Sequence, residues 1–153
     1  MDGVSNTIER ISLAGAEVAL AAAYAHANAM GVPQNIAVVD DAGHLVCFRR
    51  MDGASFITIE IAINKAFTAA GARSSTQALQ QVAQPGVRGY GLTTQHHGRF
   101  TVLAGGLPLR LAGEVVGGIG VSGGTTDQDH EVAQAAVEAY ERRLVEERDS
   151  GQS

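Results

Sequence analysis

The sequence predicts an α+β fold, with antiparallel strands set among helices in the order α-ββ-αα-βββ-α. Three observations predict it. Apolar residues recur at helical spacing through two long terminal segments. Short β-branched and apolar runs lie between turns rich in Gly and Asp. The links within each strand group are tight, which makes the pairs antiparallel, because a parallel pair needs a crossover of roughly a dozen residues or more. Helices must then cover at least one face of the sheet.

Each element follows from local signals. Asn6 to Met30 reads as a helix: Asn6 is a suitable N-cap, Glu9 stands where a capping box needs it, and Ile11, Ala14, Val18, Ala21, Ala22, Ala25 and Ala29 share one face. Gly31-Val32-Pro33 stops it. Ile36 to Asp40 and Leu45 to Arg50 form a hairpin about Asp41-Ala42-Gly43, where Gly43 suits a positive φ. In the second strand Leu45, Cys47 and Arg49 alternate with Val46, Phe48 and Arg50. After the loop Met51-Asp52-Gly53-Ala54, Ser55 can cap a helix from Phe56 to Ala70. That helix is apolar nearly all round, the mark of a buried one, and Gly71 ends it. Ser74, with Gln77 beyond it, opens a short helix to about Val82. Ala83 to Gly98 is a long polar loop, of a length that is functional or mobile in most proteins. Phe100 to Ala104, Leu109 to Ala112 and Glu114 to Val121 read as three more strands, joined by Gly105-Gly106-Leu107-Pro108 and by Ala112-Gly113. Ser122-Gly123-Gly124-Thr125-Thr126 turns the chain into a last helix from Asp127 to about Glu147. One domain over residues 1–148 and a disordered tail over 149–153 are expected.

Composition narrows the function classes. The chain of 153 residues is 45% hydrophobic, enough for a packed core. No apolar run is long enough to span a membrane, and Met1-Asp2-Gly3-Val4 lacks the features of a secretory signal. A net charge of −5 argues against nucleic acid as partner. The single cysteine, Cys47, can form neither an internal disulfide nor a thiolate metal cluster, so no metal is expected and a reducing cytoplasm fits. The chain holds 25 alanines and 19 glycines but no Trp. Such a core buries less area per residue than one of Leu and Phe, and a homo-oligomer, a dimer or larger, is the expected compensation.

Gly118-Ile119-Gly120-Val121-Ser122-Gly123 matches the dinucleotide pattern G-x-G-x-x-G. The pattern requires a following βαβ unit, and here one helix follows, so the match is read as a decoy. The turn Ser122 to Thr126 still precedes a helix N-terminus, where free N–H groups and the positive dipole end suit a carboxylate or phosphate. The plainer role is capping by Thr126 or Asp127, and Asp127 and Asp129 compete with an incoming anion.

Lys65 is the only lysine, and it lies on the helix expected to be buried. Thr58, Ile61, Lys65 and Thr68 share one stripe. A desolvated lysine can act as a base, a Schiff-base nucleophile or an anion anchor; a packed stem paired with a carboxylate is the alternative. Arg49 and Arg50 close a strand on opposite faces. A pocket arginine would take a carboxylate in a bidentate fork, and an edge salt bridge with Asp40, Asp52 or Glu114 is the alternative. Of the paired loop histidines His96 and His97, at most one faces a given pocket. That one would be a general base or a haem axial ligand, against the plainer reading of solvated side chains.

Taken together, Ile36 to Gly43, Leu45 to Ala54, Lys65-Ala66-Phe67-Thr68-Ala69, Gly106-Leu107-Pro108-Leu109 and Glu114 to Gly124 with Asp127 resemble the GlcG/HbpS family and the C-terminal part of PduO-type proteins. The likeness covers about residues 6 to 147. It implies a five-stranded antiparallel sheet flanked by helices, somewhat profilin-like, assembly into dimers or larger rings, and haem or corrinoid association in some members. It also points to Arg50-Met51-Asp52-Gly53, Lys65, and the turns Gly105-Gly106-Leu107-Pro108 and Ser122-Gly123-Gly124 as the block that carries over.

The expectation is a cytoplasmic protein that binds haem or another planar anionic molecule near a subunit interface. Its pocket would lie among Lys65, Arg50, Met51, Gly105, Gly106, Ser122, Gly123, Gly124 and the His96-His97 loop. The alternative is a cofactor-free enzyme, an isomerase, tautomerase or lyase acting on a small organic acid or oxo compound. There Lys65, His96 or His97 would move a proton, and Arg50 with the Ser122-Gly123-Gly124 amides would hold the negative charge. A third reading is a purely structural partner of another enzyme.

Overall fold

A computed structural model describes residues 3–151. Its elements are α1 (Leu13–Met30), β1 (Asn35–Asp40), β2 (Leu45–Arg50), α2 (Ile57–Ala72), α3 (Thr76–Val82), β3 (Gly106–Leu111), β4 (Glu114–Ser122) and α4 (Thr126–Ser150), with 3-10 turns at Leu92–Thr94 and His96–Gly98. The sheet has the order β2-β1-β4-β3 and every pairing is antiparallel. The α+β class is as expected, but the described strands number four, not five.

The missing strand is Phe100 to Ala104. Its β-branched composition suits a strand, yet its backbone is tied to a helix instead: the Thr68 hydroxyl donates to Arg99 O and accepts from Thr101 N. The Gly105-Gly106-Leu107-Pro108 link is also partly strand, since β3 begins at Gly106. Pro108 is tolerated there because β3 is an edge.

Several boundaries move for physical reasons. α1 starts after Ser12, whose hydroxyl accepts from Gly15 N, and not at Asn6. Residues 6–11 are not helical: Ile11 N bonds Val116 O and the Ile11 side chain is buried in the core. Ser55 does not cap α2 through its side chain; its carbonyl instead accepts from Asn35 Nδ2 and Thr58 Oγ1. Gly71 lies inside α2, which ends at a left-handed Arg73. Ser75, one residue later than expected, caps α3. Thr125 caps α4 in a capping box with Gln128, in place of Thr126 or Asp127. α4 continues to Ser150, over the first residues of the expected tail, and Gln152 and Ser153 lie outside the described residues.

α1 and α4 pack together on one face of the sheet and α2 covers the other. Ile36, Val38, Ile119 and Val121 join Leu20, Val132, Ala136 and Tyr140 on the first face. Ala37 and Val39 join Ala62, Ala66 and Ala70 on the second. The alanines and glycines have a specific use here. Gly106, Gly120 and Ala37 stand side by side across three strands beneath α2. A Cβ on Gly120 would lie 2.0 Å from Ala62 O, and one on Gly106 would lie 2.4 Å from Lys65 O. The helix backbone rests directly on the sheet backbone. The G-x-G-x-x-G match is thus a packing surface in a central strand, not a phosphate loop.

Candidate functional site

Close packing of α2 brings Lys65 to the end of β4. Its side chain passes Gly105 and reaches across to the layer of α4. The ammonium donates to Val121 O at 2.8 Å and to Asp129 Oδ2 at 2.8 Å. Both side chains are almost wholly enclosed, Lys65 at 2% and Asp129 at 4% exposed. Gly105 makes the passage possible: it has φ +125°, and a Cβ there would lie 3.0 Å from Lys65 Nζ. Asp129 Oδ1 accepts from Gly124 N at 2.8 Å and from Gln34 Nε2 at 3.0 Å. Burial pushes the Lys65 pKa below its ordinary value, and Asp129 opposes that shift.

The lysine, the Gly105-Gly106 corner and the Ser122-Gly123-Gly124 corner therefore do converge. An anion sits between them, and it is the chain's own Asp129. Its helix places the carboxylate at N4, close to the positive end of the dipole. Gly106 N is likewise taken internally, by Thr76 Oγ1. Ser122 is buried.

The other expected residues stand apart from this corner. Arg50 is exposed at the end of the edge strand β2, across from Asn35. Arg49, on the opposite face, stacks on the Tyr24 ring at 4.9 Å. Neither forms a salt bridge among the described residues, so the ion pairs with Asp40, Asp52 or Glu114 are not made. Met51 is buried, and its Sδ accepts from Gln34 N at 3.4 Å.

The loop histidines belong to a different place. His96, His97 and Gly98 are three consecutive left-handed residues, with φ of 52°, 57° and 80°. A left-handed non-glycine residue costs on the order of 1–2 kcal/mol, so two in succession mark a conformation imposed by its surroundings. The turn sets the His96 ring edge-on to Phe67, centroids 5.4 Å apart at 73°. His97 is exposed. Phe67, Thr68, Gly71 and Ala72 of α2, Asp41 to Gly43 of the hairpin turn, and His96 and Phe100 of the loop line an open cleft of about 560 Å³. The hairpin turn approaches closely: a Cβ on Gly43 would lie 2.6 Å from the Phe67 ring. Asp41 is paired with Arg10 at 2.5 Å, which holds its carboxyl below the usual range.

Arg99 completes this cluster. Its guanidinium lies 3.9 Å from the Phe67 centroid, and its Nε donates to Asn64 Oδ1 at 3.3 Å. Gln34, Phe67 and Arg99 carry no functional signal of their own in the sequence. The only local signal for Arg99 was a cation next to His96-His97; Phe67 reads as one more apolar residue in an apolar helix. The remaining histidines have other surroundings. His26 pairs with Glu131 at 2.8 Å, His44 is exposed beside Asp40, and His130 Nδ1 is buried without a partner among the described residues. Among the described residues no cluster of His, Cys, Asp and Glu could hold a metal ion, and no helix is long and apolar enough to cross a membrane.

Fold and clefts together define a class: a layered α+β domain on a four-stranded antiparallel sheet, with an aromatic cleft that carries an imidazole. Comparison with known proteins gives the family. The family model described as "Haem degrading protein HbpS-like" matches residues 11–138, and the chain belongs to this GlcG/HbpS family. It is 38% identical over 136 residues to a 15.0 kDa protein of the dhaT-dhaS intergenic region of Citrobacter freundii, covering 89% of this chain and 96% of that one. The crystal structure of Klebsiella pneumoniae protein ORFY is similar at TM-score 0.89 and 33% identity, over 92% of this chain and 97% of that chain. The structure of a PduOC:heme complex is similar at TM-score 0.81 and 34% identity, over 85% and 94%. The chain spans only 35% of the length of the Salmonella typhimurium corrinoid adenosyltransferase PduO, to which it is 36% identical.

Proposed function

We propose that this protein binds haem or another planar anionic molecule in the cleft between Phe67, Phe100 and His96. The observation that carries the reading is the His96 imidazole, held edge-on to Phe67 by a strained turn and making no hydrogen bond or ion pair among the described residues. Two further points support it. The family model is described as haem-degrading, and a similar solved structure is a haem complex. The residues present suit such a group: His96 would supply an axial nitrogen, and Phe67 and Phe100 would flank a flat ring. Haem bound there would supply an iron centre able to exchange ligands and electrons.

In this reading Lys65 is a structural cation whose work is to hold Asp129 and the start of α4. The cofactor-free enzyme has less support. Its proposed base is enclosed between Val121 O and Asp129, and Lys65 does not line the Phe67–His96 cleft. Assembly of two or more copies accompanies the proposal, on the ground of the alanine- and glycine-rich composition.

Titration of the purified protein with haemin, followed in the Soret band, tests the proposal. A saturable shift is expected, weakened at least about tenfold in His96→Ala and unchanged in His97→Ala. A wild-type protein that leaves the haemin spectrum unaltered, or a His96→Ala variant that binds as wild type does, would overturn it.

A further inference from the structure

We infer that Arg99 is the carboxylate anchor of the Phe67–His96 cleft and makes it selective for ligands that carry a free acid. This rests on the reading that the cleft binds a planar molecule, and it concerns which such molecule is preferred.

The argument begins with charge. The chain is acidic overall, at −5, so an anionic guest needs a local cation. Five of the eleven cations are already committed. Lys65 is paired with Asp129, Arg10 with Asp41, Arg143 with Glu147 and Arg148 with Asp149. Arg110 donates to the carbonyls of Gly113 and Arg73. Arg99 has no carboxylate partner among the described residues, yet it is held firmly in place. The Phe67 ring supports its plane at 3.9 Å, and Asn64 Oδ1 takes its Nε proton. The Thr68 hydroxyl fixes the backbone on either side, through Arg99 O and Thr101 N. Both terminal nitrogens remain without a hydrogen-bond partner among the described residues.

A fork of free N–H donors on a fixed plane is the form of arginine that recognises carboxylates in bidentate fashion. Because it is ordered before the ligand arrives, little side-chain freedom remains to be lost on binding. Its place in the chain matters too. Arg99 is not itself a lining residue, but it lies between His96 and Phe100, both of which line the cleft, and it stacks on the Phe67 ring that forms the cleft wall. One short segment would then supply the nitrogen ligand, the aromatic wall and the anion anchor.

The test compares haemin, which has two free carboxylates, with its neutral dimethyl ester, both titrated against the full chain in the same mixed solvent. The wild type is expected to bind haemin about tenfold tighter than the ester. Arg99→Gln should bring that ratio close to one while leaving the Soret position unchanged. Arg99→Lys, which keeps the charge but not the planar fork, should restore part of the preference. His96→Ala should weaken both ligands together. If Arg99→Gln weakens both ligands equally, or leaves the ratio as in wild type, Arg99 is not the anchor although the cleft still binds. If the wild type binds neither compound, the binding reading itself fails and the anchor fails with it. Circular dichroism of each variant, matching wild type, separates these outcomes from misfolding.

Discussion

Asp129→Asn is expected to be the most damaging isosteric change in this protein. The pair it breaks has an N–O distance of 2.8 Å and side chains 2% and 4% exposed. At an effective dielectric constant of roughly 20, two unit charges so placed attract with about 6 kcal/mol. Desolvation of both groups cancels much of that, so the intact pair has a small net worth. Removal of one partner is different. The Lys65 ammonium would stay buried with only Val121 O as acceptor, and an uncompensated buried charge costs about 3–5 kcal/mol. A domain of this size has a total stability of roughly 5–15 kcal/mol, so a large part of it would be lost. In urea, with a slope near 2 kcal/mol per molar, the midpoint should fall by about 2 M. The loss should also depend on pH. The buried lysine sheds its proton more readily than the unfolded one, whose value is 10.5. Between the two values the unfolded chain binds the extra proton, so this group's contribution to stability rises with pH, and the variant should recover towards pH 10. Lys65→Met combined with Asp129→Asn should regain most of the loss at pH 7, since no charge then remains in the corner. A single variant that costs less than about 1 kcal/mol, or a double variant no better than the single, would refute the reasoning.

Gly120→Ala should destabilise by about 3 kcal/mol or more in the same denaturation assay, because its Cβ would meet Ala62 O at 2.0 Å and force α2 off the sheet. Gly113→Ala, whose glycine has φ +86° but open space around it, should cost only about 1 kcal/mol. Burial pushes the Cys47 thiol up to about 11 from 9.0, so alkylation of the native protein at pH 8.5 should be slow relative to the urea-unfolded chain. For the same reason the unfolded thiol ionises first as pH rises from 9 to 11; stability should fall through that window, and Cys47→Ala should flatten the fall.

What could be read from the sequence was local. The hairpin about Asp41-Ala42-Gly43 and the bounds of Leu45–Arg50 are as expected, because turn chemistry and alternation decide them within a few residues. Cys47 and Phe48 fall in opposite cores, as the alternation requires. The failures came where a distant partner prevailed. Asn6 and Glu9 make a plausible cap, but the Ile11–Val116 bond and burial of Ile11 keep that segment out of the helix. Phe100 to Ala104 has strand composition, and Thr68, some thirty residues away in the chain, takes its hydrogen bonds. The candidate site shows the same division. Spacing could nominate Lys65 and the glycine corners, and it could note Asp129 as a competing charge. It could not show that Asp129 fills the corner, because that contact joins residues on two helices packed against opposite faces of the sheet. Nor could it bring Phe67 beside His96, since a helix that is apolar on every side gives no hint of which ring borders a cleft.

The seam between α2 and the sheet has one more effect. Residues such as Ala62, Ala66, Gly118 and Gly120 have no rotatable side-chain torsions to freeze, so ordering them sacrifices almost no rotamer entropy. The spacing of the two layers is then set by main-chain atoms, which cannot repack as larger side chains can. The platform that holds Phe67 and the Thr68 hydroxyl is therefore rigid by construction.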